Sequence, residues 1–99
     1  MEPDIASVAA PWQDLVLTCG KCTRKLKGGF GRKRRLSLRT LLKDGLRATA
    51  DRRRLRVIEV GCLGLCPRDA VTLVVASRPG ILRPVPAGTE LAAVLAAIG

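Results

Sequence analysis

The chain alternates short apolar runs with polar or charged stretches, and the period of the apolar positions changes along its length. DLVLT, residues 14–18, has the length and flanks of a buried strand. LSLRTLLKDGLRATA places Leu38, Leu41, Leu42 and Leu46 at helical spacing, with Arg39, Lys43 and Arg47 on other faces. That pattern predicts an amphipathic helix over 38–50, with Ser37 capping its start. Gly45 weakens this helix by up to about 1 kcal/mol relative to Ala. DRRR, residues 51–54, reads as a solvated connection. LRVIEV, 55–60, and AVTLVVA, 70–76, are rich in β-branched residues and predict strands. ILRPV, 81–85, pairs back as a hairpin partner, and Pro84 confines it to an edge because it has no N–H to donate to a ladder. PAGTELAAVLAAIG predicts a closing helix, with Thr89 as cap and Leu91, Val94, Leu95 and Ile98 on one stripe.

The order strand, helix, strand, strand, strand, helix predicts an α/β sandwich. Its first two strands are parallel through a right-handed crossover and its last two form a hairpin. Residues 1–13 read as a loose lead-in, with Trp12 as a hydrophobic plug, and residues 14–99 as a single domain.

Composition sharpens this picture. With one Phe, one Trp and no Tyr in 99 residues, Val, Leu, Ile and Ala must fill a small core, and a metal or cluster cross-link would help such a fold. The four cysteines would need an oxidising compartment to serve as structural disulfides. MEPDIASVAAPWQ carries Glu2 and Asp4 where a secretory signal carries Lys or Arg, and it has no long apolar run. The expectation is therefore a cytoplasmic protein with reduced thiols, and no stretch is apolar enough to predict a membrane span.

The thiols fall in two pairs, Cys19 and Cys22 after the first strand, Cys62 and Cys66 after the second. Parallel neighbouring strands end at the same sheet edge, so the pairs are expected to converge there as one metal site, the usual address for ligands in open α/β sheets. Gly61 and Gly64 allow the second loop to turn tightly and aim N–H groups at sulfur. Leu63 and Leu65 would form an apolar wall around the site.

EVGCLGLCPRDAVTLVV, with Gly61, the C-x3-C pair, Pro67 and the strand that follows, resembles the second half of the thioredoxin-like [2Fe-2S] ferredoxins, and LVLTCGKC resembles the first half. The similarity covers about residues 14 to 98. It implies a thioredoxin-like sandwich and electron transfer through a [2Fe-2S] cluster held by Cys19, Cys22, Cys62 and Cys66, a carrier and not an enzyme. The first pair departs from the family in having only two residues between its cysteines.

Two other readings of the same thiols stand beside this one. C-G-K-C is similar to a zinc knuckle, and with a distant second pair it is a structural zinc pattern, which would make the protein a nucleic-acid-binding module. A C-x-x-C directly after a strand is also where dithiol oxidoreductases keep their redox centre. Such thiols need a helix N-terminus or cations such as Lys21 and Arg24, and the predicted helix starts some fifteen residues beyond Cys22.

The charge of +10 is concentrated, since residues 21–56 hold 15 of the 18 Lys and Arg against Asp44 and Asp51 alone. Lys21, Arg24, Lys25, Lys27, Arg32, Lys33, Arg34 and Arg35 are candidates for docking a partner of opposite charge, although such blocks are commonly only solvated surface. An acidic redox protein or oxidoreductase subunit is the preferred partner. Nucleic acid is the less favoured alternative, because the segment offers only one aromatic for base stacking and no nucleic-acid fold signature. A second copy of the chain, in a homodimer, is a further candidate. The glycines of GGFG lack phosphate-loop spacing and read as flexibility, with Phe30 either packed over the metal site or anchoring a partner.

Overall fold

The computed structural model describes residues 5–48 and 55–98. Seven elements follow in order: β1 (Asp14–Cys19), α1 (Gly20–Leu26), α2 (Leu38–Ala48), β2 (Leu55–Val60), β3 (Ala70–Val75), β4 (Arg83–Pro86) and α3 (Leu91–Ile98). The connection DRRR, the last two residues of the helix expected over 38–50, the first four residues of the lead-in and Gly99 lie outside the described residues.

The four strands form one mixed sheet in the order β2-β1-β3-β4. β1 and β2 are parallel, with Thr18 opposite Glu59 and Cys19 opposite Val60, so both strands end at one edge as the sequence order predicts. β3 runs antiparallel to β1, and β4 antiparallel to β3. Pro84 and Pro86 sit on the edge strand, where their missing N–H groups leave no ladder bond unmade.

β3 is buried at all six positions, which fits its continuous run of Ala, Val, Thr and Leu. With β1 it forms the centre of the core, where Val16, Val71, Leu73 and Val75 meet Leu38 and Leu42 from α2 and Val94 and Ile98 from α3. The two buried threonines are hydrogen-bonded, as buried hydroxyls must be. Thr18 Oγ1 donates to the Ile58 carbonyl at 3.4 Å, and Thr72 Oγ1 to the Leu65 carbonyl at 3.0 Å.

Ser37 caps α2, its Oγ accepting the Thr40 N–H at 3.1 Å. Gly45 in that helix has a packing reason: a Cβ there would run into the Leu91 side chain of α3. Thr89 does not cap α3. Its hydroxyl turns back to donate to the Pro86 carbonyl at 2.6 Å, closing the turn before the helix.

The sequence pattern missed α1, a seven-residue helix that begins immediately after β1. Only Gly20 and Cys22 are buried in it, so it carries no apolar stripe, and its cap is a thiol rather than Ser, Thr, Asp or Asn. It ends at Lys27, in the left-handed region at φ 54°, whose N–H bonds the Thr23 carbonyl at 3.0 Å.

The glycine-rich basic segment that follows is also ordered. Phe30 and Leu36 pair through reciprocal backbone bonds of 3.1 and 3.0 Å, and the Gly29 carbonyl accepts the Gly88 N–H at 2.8 Å. Gly29 and Gly31 stand at φ 94° and 81°, so left-handed turn geometry, and not flexibility, accounts for them. Phe30 is fully buried in the core, which removes it as a partner anchor. Trp12 is partly exposed, with the Arg56 guanidinium 6.0 Å from its ring centre. Among the described residues, no helix is long and apolar enough to cross a membrane.

Candidate metal centre

The site is built where β1 runs into α1. Cys19 ends the strand and caps the helix: its Sγ accepts the Cys22 N–H at 3.4 Å. Thr23 tightens the same turn by donating its hydroxyl to the Cys19 carbonyl at 2.8 Å. Gly20 is demanded by sterics, because a Cβ at that position would strike the Val60 carbonyl at the end of β2. The first residue of α1 therefore lies directly against the end of the strand that leads to the second cysteine pair.

The loop after β2 folds back over this junction. The Leu65 carbonyl accepts from Thr72 Oγ1 and also faces the Cys22 thiol at 3.7 Å, so one carbonyl is tied to β3 and to α1 together. Within the loop, the sulfurs of Cys62 and Cys66 are 3.7 Å apart, and Cys62 Sγ accepts the Gly64 N–H at 3.3 Å. Gly64 is at φ 92°, a conformation that favours glycine, whereas Gly61 meets no steric demand in the fold. Leu63 packs against the core, and Leu65 is 38% exposed, so only the first supplies an apolar wall.

The four thiols differ in setting. Cys19 and Cys22 are buried, at 0% and 2% exposure, while Cys62 is exposed and Cys66 half-buried, and none is in a disulfide. Burial pushes the Cys19 thiol up, but the N–H groups of Cys22 and Leu63, the Cys22 thiol and the Lys21 N–H outweigh it and hold Cys19 below the ordinary thiol value. Cys66 is pushed up, first by its hydrogen bond with Cys62, then by burial and by the proximity of the Cys62 sulfur.

A metal bound tetrahedrally by thiolates at about 2.3 Å has its sulfurs about 3.7 to 3.8 Å apart. The Cys62–Cys66 separation meets that requirement as it stands. The N–H donors to Cys19 and Cys62 are of the kind that stabilises cluster thiolates. Among the described residues, however, no three side chains of the ligating types are gathered closely enough to hold one ion. The donor set is two adjacent pairs, not a closed four-sulfur shell.

Of the basic candidates, Lys21, Arg24 and Lys25 are exposed on α1 beside the site, Lys27 ends that helix, and Arg32, Lys33, Arg34 and Arg35 are exposed on the loop beyond it. A cavity of about 440 Å³ opens between α1 and the second loop, bordered by Cys22, Lys25, Cys66, Pro67 and Arg68. Thr72 escaped the sequence reading as a site residue. The available signal was a lone hydroxyl inside an otherwise apolar strand, which has to find a buried acceptor. Compared with known proteins, the chain matches no family model, no curated protein and no solved structure.

Proposed function

We propose that this chain is a small electron carrier that binds one [2Fe-2S] cluster through Cys19, Cys22, Cys62 and Cys66, in a thioredoxin-like domain. The sheet order β2-β1-β3-β4, with β1 and β2 parallel and β3 antiparallel to β1, supports the thioredoxin-like reading. One observation carries the functional reading. Parallel pairing of β1 with β2 brings both cysteine pairs to one sheet edge, where the Cys22 thiol and Thr72 share the Leu65 carbonyl. Two cysteines per segment suit a cluster in which four thiolates serve two irons.

When bound, the cluster supplies a one-electron couple, and the chain's part is to hold and shield it. Cys19 and Cys22 offer sulfurs already fixed by a helix turn. Cys62 and Cys66 offer a pair at metal-ligand spacing on the more exposed loop after β2. N–H groups stabilise the thiolate form, and Leu63 limits water on the core side. With every thiol engaged there is no open coordination position for a substrate, which makes the protein a carrier and not an enzyme. Replacing Cys62 or Cys66 by Ser should abolish the cofactor or make it far less stable, measured as iron and sulfide per chain after anaerobic purification. Full, equally stable retention in either variant would remove these residues as ligands.

The cationic face fits an acidic redox partner. Changing Arg32, Lys33, Arg34 and Arg35 together to Gln should slow electron transfer with such a partner at low salt and matter little at high salt. An unchanged low-salt rate would remove the docking role.

A second reading is favoured by one observation: Cys19 caps α1, so the helix N-terminus that a C-x-x-C dithiol oxidoreductase needs is present after all. The burial of both Cys19 and Cys22 opposes it, because neither sulfur is open to a substrate disulfide.

A further inference from the structure

The accessible dithiol of this protein is the other pair. We propose that, in the metal-free chain, Cys62 and Cys66 are a reversible oxidation site that closes to an intramolecular disulfide in the presence of a low-molecular-weight disulfide, while Cys19 and Cys22 stay reduced.

The geometry argues for closure within the loop. The two sulfurs stand 3.7 Å apart, and a further approach of about 1.7 Å reaches bonding distance. The loop has room to make it: Gly61 and Gly64, which flank Cys62 on either side, have nothing within 4 Å of where a side chain would begin. Cys62 is exposed and therefore meets the oxidant first. Beside Cys66 lies the cavity of about 440 Å³, whose charged lining is Lys25, Arg68 and Asp69, a net positive setting for the carboxylates of a small anionic disulfide. Cys22 borders the same cavity but is only 2% exposed, and Cys19 is fully buried in the strand–helix junction, so neither presents its sulfur as Cys62 does.

The step balances as two thiol–disulfide exchanges. Cys62 attacks one sulfur of the small disulfide, forming a mixed disulfide and releasing one small thiol, which carries away the Cys62 proton. Cys66 then attacks the Cys62 sulfur, forming the internal bond and releasing the second small thiol with the Cys66 proton. Two electrons pass from the protein to the small disulfide. On the cluster reading the closed loop withholds two of four ligands, so reduction must precede loading; the oxidation itself does not depend on that reading.

The chain provides its own assay, because Val57–Arg68 is a tryptic peptide holding both Cys62 and Cys66, while Cys19 and Cys22 fall in two others. Metal-free, reduced protein is incubated anaerobically with oxidised glutathione, quenched in acid, alkylated after unfolding and mapped by mass. The expected product is peptide 57–68 lighter by two hydrogens, formed at least about tenfold faster than any oxidation of Cys19 or Cys22. In a Cys66→Ser variant, glutathione should remain attached at Cys62. Recovery of both loop thiols unoxidised from folded protein, prior oxidation of Cys19 or Cys22, or absence of the adduct in Cys66→Ser would overturn the proposal.

Discussion

The two cysteine pairs sit at the ends of two parallel, adjacent strands, yet one is part of the framework and the other is not. Cys19 and Cys22 belong to a strand–helix turn that is buried, capped by sulfur and pressed backbone to backbone against β2. Cys62 and Cys66 ride on a more exposed loop, tied to the rest of the protein at the Leu65 carbonyl and by Leu63, whose N–H faces Cys19 and whose side chain packs against the core. A site of this kind has a preorganised half and an adjustable half. The first fixes where a metal group would sit, and the second can close over it.

That contrast is easiest to break at the glycines. Gly20→Val should destabilise the chain by about 3 kcal/mol or more, because the branched side chain meets the Val60 carbonyl and forces the start of α1 away from the end of β2. Gly61→Ala, in open space on the loop, should stay within about 0.5 kcal/mol of the parent. Urea unfolding of the metal-free proteins measures both, and equal effects would erase the distinction between the halves. A smaller gap is expected between the cysteines. Cys19→Ala loses a helix cap and packed volume, at about 1 to 2 kcal/mol. Cys62→Ala should be nearly neutral in the same experiment. The finest test is Thr72→Val, which strands the Leu65 carbonyl of one partner at about 1 kcal/mol. Hydrogen exchange should quicken across residues 62–66 while the Cys19–Thr23 turn keeps its protection. Loosening of both together would mean that the halves are not separately held.

Much of this arrangement was legible beforehand, for reasons that differ by element. β1, β2 and β3 announce themselves through apolar and β-branched runs, and α2 and α3 through leucine spacing, because burial of one face dictates their composition. Strand order then places four thiols at one edge. What the sequence hides is local backbone chemistry. α1 is seven residues with charged groups on its exposed positions, and its cap is a cysteine, so neither periodicity nor capping preference marks it. The basic segment looks like a flexible arm, but its glycines serve left-handed turns that carry Phe30 into the core. The turn at Gly64 was legible from its glycine, but the bond from Thr72 that holds the Leu65 carbonyl is a tertiary fact that no period encodes.

The most direct test of the central claim is a visible spectrum with iron, sulfide and zinc analysis on protein purified without oxygen from iron-replete cells. The account predicts a coloured protein with iron and acid-labile sulfide in equal amounts, about two of each per chain, and no zinc. A colourless preparation that holds zinc, or no metal at all, would contradict it.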